Sequence, residues 1–165
     1  MSEPATVEIY AGGDVTEEQL ADHESLLRRA VEAALAGATK PGAPESSGFR
    51  VEHDVDATIS LTLVDDMMMR ALNLQFLQRD HVTDVMAFPL YEPGQPMVGD
   101  VYIGFGQAYL QARELGIPVE TELARLAIHG TLHVLGYDHP EDARRESSEM
   151  WTLQEQILGR VLRGQ

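Results

Sequence analysis

The sequence predicts an α+β fold, with a small mixed β-sheet and about five helices packed into one layered domain over residues 1–165. Three observations predict it. Of the 165 residues, 44% are hydrophobic and 24% charged, a globular balance that can fill one core without covalent staples. Asp56 to Val64 (DATISLTLV) alternates apolar with polar side chains and is rich in β-branched residues, as a half-buried strand requires. Several other stretches repeat apolar residues at spacings of three and four, as helices with one buried face do.

Thr6 to Tyr10 (TVEIY) alternates and reads as a short strand. Thr16-Glu17-Glu18-Gln19 then has capping-box spacing, with Val15 and Leu20 placed to meet across the helix start. Leu20, Leu27, Val31, Ala34 and Leu35 continue at helical spacing, so residues 17–36 read as one amphipathic helix ending at Gly37. Lys40 to Gly48 (KPGAPESSG) reads as a loop. After the strand at Asp56 to Val64, Asp65 or Asp66 is expected to cap a helix running through Met67, Arg70, Leu72 and Leu74. Met67-Met68-Met69 reads as core filler and not as a metal tract.

Val85 to Phe88 and Val101 to Phe105 read as short strands separated by a Pro/Gly-rich turn from Pro89 to Gly99. Gln107 to Leu115 reads as a helix closed by Gly116. Glu120 to Leu135 is a longer helix with Leu123, Leu126, Ala127, Thr131 and Val134 on its apolar face. A last helix is expected from about Glu141 to Leu162, carrying the only tryptophan, Trp151.

Charge and composition exclude several functions. Twelve Lys and Arg against 27 Asp and Glu give −15, which rules out a protein that coats nucleic acid or an anionic membrane with a basic surface. More than half of that excess lies early, because residues 1–56 carry 12 acids against 4 bases. There is no cysteine, so disulfides, thiol nucleophiles and thiolate zinc sites are absent. With an acidic start, Met1-Ser2-Glu3-Pro4, and no apolar run of membrane-spanning length, the chain reads as soluble and cytoplasmic.

The chemistry is concentrated in Ile128 to His139 (IHGTLHVLGYDH). His129 and His133, four apart on a helix, present both imidazoles on one face. Gly136 can end the helix in a left-handed turn that brings His139 back to the same point. Three imidazoles without a thiolate suit zinc first, with nickel or copper as alternatives, and leave a fourth position open for catalysis. Asp138, next to His139, is expected to orient an imidazole from outside the ligand set. His23, His53 and His81 lack such company and read as non-ligands. The spacing H-x-x-x-H-x-x-G-x-x-H is that of metzincin proteases, whose general base follows the first histidine. Here that position is Gly130, which disfavours a peptidase using that base.

These residues closely resemble the H-G-x-L-H-L-x-G-Y-D-H signature of the YbeY endoribonucleases, a family of rRNA maturation factors. Leu61 to Asn73 is similar to the family's strand and following helix, Thr83 to Pro89 (TDVMAFP) to its T-D-V-L-S-F-P segment, and Gly99-Asp100-Val101 to its G-D-I strand. Gln111-Ala112 with Glu114 and Gly116, Glu149-Met150, and Glu155 to Leu158 extend the resemblance over roughly residues 57–158.

The resemblance implies one zinc ion per chain on His129, His133 and His139, and single-strand-specific RNA cleavage in small-subunit rRNA maturation and ribosome quality control. It also implies small-subunit or associated-protein partners and a catalytic role for Arg70, whose guanidinium can grip a phosphate. The bland alternative for Arg70 is a surface pair with Asp66. Departures include Leu77-Gln78-Arg79 where the family has R-G-K, leaving Arg79 as the substrate-binding base there, Ala87 in place of Ser, and Gly104 in place of Ser or Cys. The nucleophile stays open between water and the RNA's 2′-hydroxyl. DNA and membranes are not expected partners. The rival readings are a zinc metallopeptidase-like hydrolase, a non-catalytic ribosome-assembly factor with structural zinc, and, weakest for want of cysteine ligands, a zinc deaminase.

Overall fold

The computed structural model of the chain describes residues 5–38, 57–92 and 95–164. The expected loop at Lys40 to Gly48, Asp56, and Pro93-Gly94 of the expected turn lie outside them. The described strands are β1 (Thr6–Ala11), β2 (Ala57–Val64), β3 (Val85–Pro89) and β4 (Met97–Gly104), in the spatial order β1-β2-β4-β3. The pairs β1–β2 and β2–β4 are parallel, and β3 runs antiparallel along β4 with Val85 opposite Ile103. The sheet is therefore mixed, with β3 as an edge. Strand β4 begins four residues before the expected Val101, because Met97 to Asp100 pair in register with Ala57 to Ser60 of β2.

Among the described residues six α-helices accompany the sheet: α1 (Glu17–Ala21), α2 (Glu24–Ala38), α3 (Asp66–Leu77), α4 (Phe105–Leu115), α5 (Val119–Val134) and α6 (Glu149–Leu162). The single helix expected over residues 17–36 is two. The predicted capping box forms between Thr16 and Gln19, but the His23 N–H turns back to the Leu20 carbonyl at 2.9 Å and closes α1. His23 is buried with its ring 5.7 Å from that of Phe105, and the chain restarts as α2, which continues through Gly37. The expected helix from Glu141 is also shorter. Its first part is a 3₁₀ turn, Arg145–Ser147, after which the Ser148 side chain accepts the Trp151 N–H and starts α6.

At the start of α3 the cap is Asp65, accepting from the Met68 N–H at 2.8 Å. The methionine run is core only in part. Met69 is fully buried, with Val64 and Met86, in a small cluster on the α3 side of the sheet, whereas Met67 is 80% exposed. Helix α3 ends on Gln78 at φ 54°, a left-handed conformation that glycine adopts without strain.

The main core lies on the other face, where Ile59, Leu61 and Leu63 of β2 and Val101 and Ile103 of β4 meet the helices. Helix α5 is its centre and touches α2, α4, α6, β3 and β4. Its burial exceeds the one apolar face expected: Ala124, Ile128, His129, Gly130 and Leu132 are buried too. Two glycines allow this approach. A Cβ at Gly130 would come 2.5 Å from Cγ1 of Val101, and one at Gly99 would overlap Val134. Among the described residues no helix is long and apolar enough to cross a membrane.

Two stability changes follow. Gly130→Ala is expected to cost about 1–3 kcal/mol by overpacking, and Val101→Ala in the same chain should recover part of that loss in a urea double-mutant cycle. Gln78→Gly should instead raise stability by roughly 1 kcal/mol by relieving the left-handed side chain.

Candidate metal centre

Helix α5 carries His129 and His133 one turn apart at its last two turns. Its end is a Schellman motif. The Tyr137 N–H donates to the Leu132 carbonyl and the Gly136 N–H to the His133 carbonyl, both at 3.0 Å, with Gly136 at φ 95°. The reversed chain brings His139 back to the helix end, and the three side chains meet. Nε2 of His129 lies 3.1 Å from Nε2 of His133 and 3.3 Å from Nε2 of His139.

The outer nitrogen of each ring faces an oxygen. Nδ1 of His129 is 2.6 Å from Oε1 of Gln154, Nδ1 of His133 is 3.0 Å from the Tyr137 carbonyl, and Nδ1 of His139 is 3.0 Å from the Pro140 carbonyl. Because these oxygens accept, each Nδ1 carries the hydrogen and each Nε2 turns a lone pair inward. Three lone pairs aimed at one another repel unless a cation lies between them. Four-coordinate zinc with ligands at 2.0–2.1 Å separates neighbouring nitrogens by about 3.3 Å, close to the spacings found. Among the described residues this triad is the group able to hold a metal ion, and its donors fit one.

Burial, reinforced by the charge of neighbouring His133, lowers the His129 pKa to about 4 against the opposing bond from Gln154. Burial and the charge of His139 lower that of His133 as well. Both rings are thus held in the neutral, metal-ligating form at neutral pH.

The triad opens on a cleft of about 610 Å³ along edge strand β3, whose walls include Arg79, His81, Phe88, Asp138 and Arg145. Behind His129 a second cavity of about 220 Å³ is lined by Gln111, Glu122, Trp151 and Gln154. Asp84, His129 and Arg145 line both. Beneath the second cavity Arg125 of α5 bonds Glu122 at 2.6 Å and Glu155 of α6 at 2.9 Å, tying the two helices together beside Gln154.

The sequence-predicted residues are distributed unevenly around this centre. His129, His133 and His139 come together, and Arg79 lines their cleft. The Asp138 carboxylate accepts the His139 main-chain N–H at 2.8 Å and no imidazole N–H, so it braces the turn that carries the ligand. Arg70 does not line the cleft. It is more than half exposed and forms a bidentate pair with Asp80 at 2.6 and 3.1 Å, so its carboxylate partner is Asp80 and not Asp66. His23 and His81 stand outside the triad, although His81 lines the cleft, and His53 lies outside the described residues.

Gln154 and Arg145 are absent from the sequence-based set. Gln154 had a signal, being the polar member of an otherwise apolar stripe, Met150, Ile157, Leu158 and Val161, on α6. Arg145 had none, since nothing local ties residues 141–147 to His129.

The chain is similar to known proteins. A profile of the endoribonuclease YbeY family matches residues 20–162. An endoribonuclease YbeY of Persephonella marina is 41% identical over 107 residues, covering 62% of this chain and 69% of its own. One of Pseudomonas entomophila is 34% identical over 142 residues, covering 79% and 89%. A solution structure of a Thermotoga maritima protein superposes with a TM-score of 0.59 at 26% identity, covering 96% of this chain and 91% of the other.

The lowered histidine pKa sets a stability window for the metal-free protein. Between pH 6.5 and about 4 the unfolded chain takes up a proton that folded His129 refuses, so stability is complete above this window and falls as pH drops through it. Melting temperatures of metal-stripped protein from pH 7.5 to 4.5 should fall by several degrees, and His129→Gln should flatten the profile. An equally steep profile in the variant would contradict the assignment.

Proposed function

The chain belongs to the YbeY endoribonuclease family, and from that premise we propose that it is a zinc-dependent endoribonuclease cleaving single-stranded RNA. Its setting in this reading is the cytoplasmic maturation of 16S rRNA 3′ ends and ribosome quality control, alongside the small subunit or its associated proteins. The observation that carries the chemistry is the inward convergence of three Nε2 atoms whose Nδ1 partners are all oxygens. That set supports one zinc ion per chain on His129, His133 and His139.

When bound, zinc supplies Lewis acidity at the reacting phosphate. The chain's own residues bind and orient. Arg79, on the cleft wall, attracts the strand's phosphates. Arg70 shares the α3 face of Asn73 and Leu77, three and seven residues on, which line the cleft. A phosphate reaching that face competes with Asp80 for the Arg70 fork, and in this reading Arg70 stabilises charge on the phosphoryl group. Asp138 holds the His139 backbone, and Gln154 holds the His129 ring.

The peptidase alternative loses support at Gly130. The position that would bear its base is pressed against Val101 and Val85, with no space for a carboxylate.

His133→Ala should lose bound metal by elemental analysis and cleavage of a defined single-stranded RNA. Arg70→Ala should keep its metal while cleavage falls about 100-fold. The ends produced identify the nucleophile: a 2′,3′-cyclic phosphate reports the 2′-hydroxyl and a 5′-phosphate reports water. Cleavage unchanged in both variants, in nuclease-free preparations, would overturn the assignment. Unfolding on metal removal with no cleavage at any metal load would point to a structural metal.

A further inference from the structure

Arg145 stands where the two cavities join, lining both with His129 and Asp84. Its guanidinium carbon lies 5.8 Å from the centroid of the Trp151 ring, and its Nε is buried without a hydrogen-bond partner. Three other arginines nearby are committed to carboxylates: Arg70 to Asp80, Arg125 to Glu122 and Glu155, and Arg144 to Asp142, whereas Arg79 on the cleft wall forms no such pair among the described residues. Among the described residues no carboxylate forms an ion pair with Arg145.

A guanidinium keeps its charge at any physiological pH and offers five donors in a planar fork. Leaving a buried donor of that fork unmatched costs free energy, which a bound oxyanion offsets. The aromatic face beneath it restricts the fork while leaving donor edges free. The charge of Arg145 is felt at the triad, where it helps to lower the pKa of both His129 and His133.

We propose that Arg145, seated on Trp151, binds a backbone phosphate of the RNA strand at the triad. The proposal rests on the endoribonuclease reading, and it assigns to the 3₁₀ turn before α6 a cation inside the cleft, where Arg70 stands outside it. Trp151 is then a positioning residue that holds the fork in place.

The test uses the metal-loaded full chain and a single-stranded 2′-O-methyl oligouridylate, which cannot react through a 2′-hydroxyl and is checked to be intact after each titration, so that binding is read apart from turnover. Arg145→Gln should weaken binding about tenfold or more and make the slope of log K against log salt shallower by about 0.7, one phosphate contact on a single strand. Arg145→Lys should restore part of the affinity and the slope. Trp151→Leu should weaken binding less than Arg145→Gln, and Trp151→Phe should restore it. Arg144→Gln, which removes the same charge one residue away, should leave the slope unchanged. Metal content and melting temperature should match wild type in the Arg145 variants.

Equal affinity and slope in wild type and Arg145→Gln overturns the proposal, even if the protein cleaves RNA. So does an Arg144→Gln effect as large as that of Arg145→Gln, which would reduce the result to net charge. An Arg145-dependent slope in a protein that cleaves no RNA sustains the phosphate site and overturns the endoribonuclease reading instead.

Discussion

Helix α5 and strand β4 approach each other closely at two points where a glycine faces a valine side chain, Gly99 beneath Val134 and Gly130 above Val101. That contact places the C-terminal end of α5 against the sheet, and the last two turns of α5 carry two of the three convergent histidines. Helices α2, α4 and α6 pack around the same helix. A backbone buried on nearly every side has few alternative positions, so the imidazoles are held by the core and not by a surface loop. The absence of a side chain at Gly130 therefore has a packing cause within this fold. The close approach excludes a carboxylate at the position where metzincins place one.

A second level of order is supplied by hydrogen bonds to the outer ring nitrogens. Two acceptors are main-chain carbonyls in the turn after α5, and the third arrives from α6. The Schellman cap thus terminates a helix and also presents the carbonyl that fixes the His133 tautomer. The overall charge of −15 does not conflict with a phosphate-binding site, because much of it lies before residue 57. Close to the triad Arg79 and Arg145 line the cleft beside Asp84, Asp138 and Glu141, so the proposed phosphate contact depends on these near groups and not on the net charge.

Most of the fold and the convergence of the three histidines could be read from local patterns. The capping box at Thr16, the Asp65 cap, the alternation of β2 and the spacing from His129 to Gly136 to His139 each involve residues within a few positions of one another, where short-range geometry decides. What could not be read depends on distant partners. Gln154 meets His129 across 25 residues of sequence, and Arg70 turns to Asp80 because α3 reverses on Gln78. The breaks at Asp22-His23 and before Ser148 were hidden for a related reason. Both lie in stretches with acceptable helical composition, and burial of His23 and docking of α6 decide where the helices stop.

The contact between Gln154 and His129 has an implication for the order in which the chain becomes functional. Synthesis proceeds from the N-terminus, and α5 with the turn after it, which together carry the three histidines, is made before α6. Until α6 docks, His129 has no oxygen to hold its outer nitrogen and Arg125 has no Glu155 to anchor the helix pair. The centre is consequently a late product of translation. A chain in which α6 has yet to dock holds the three histidines without the Gln154 contact that aims one of them.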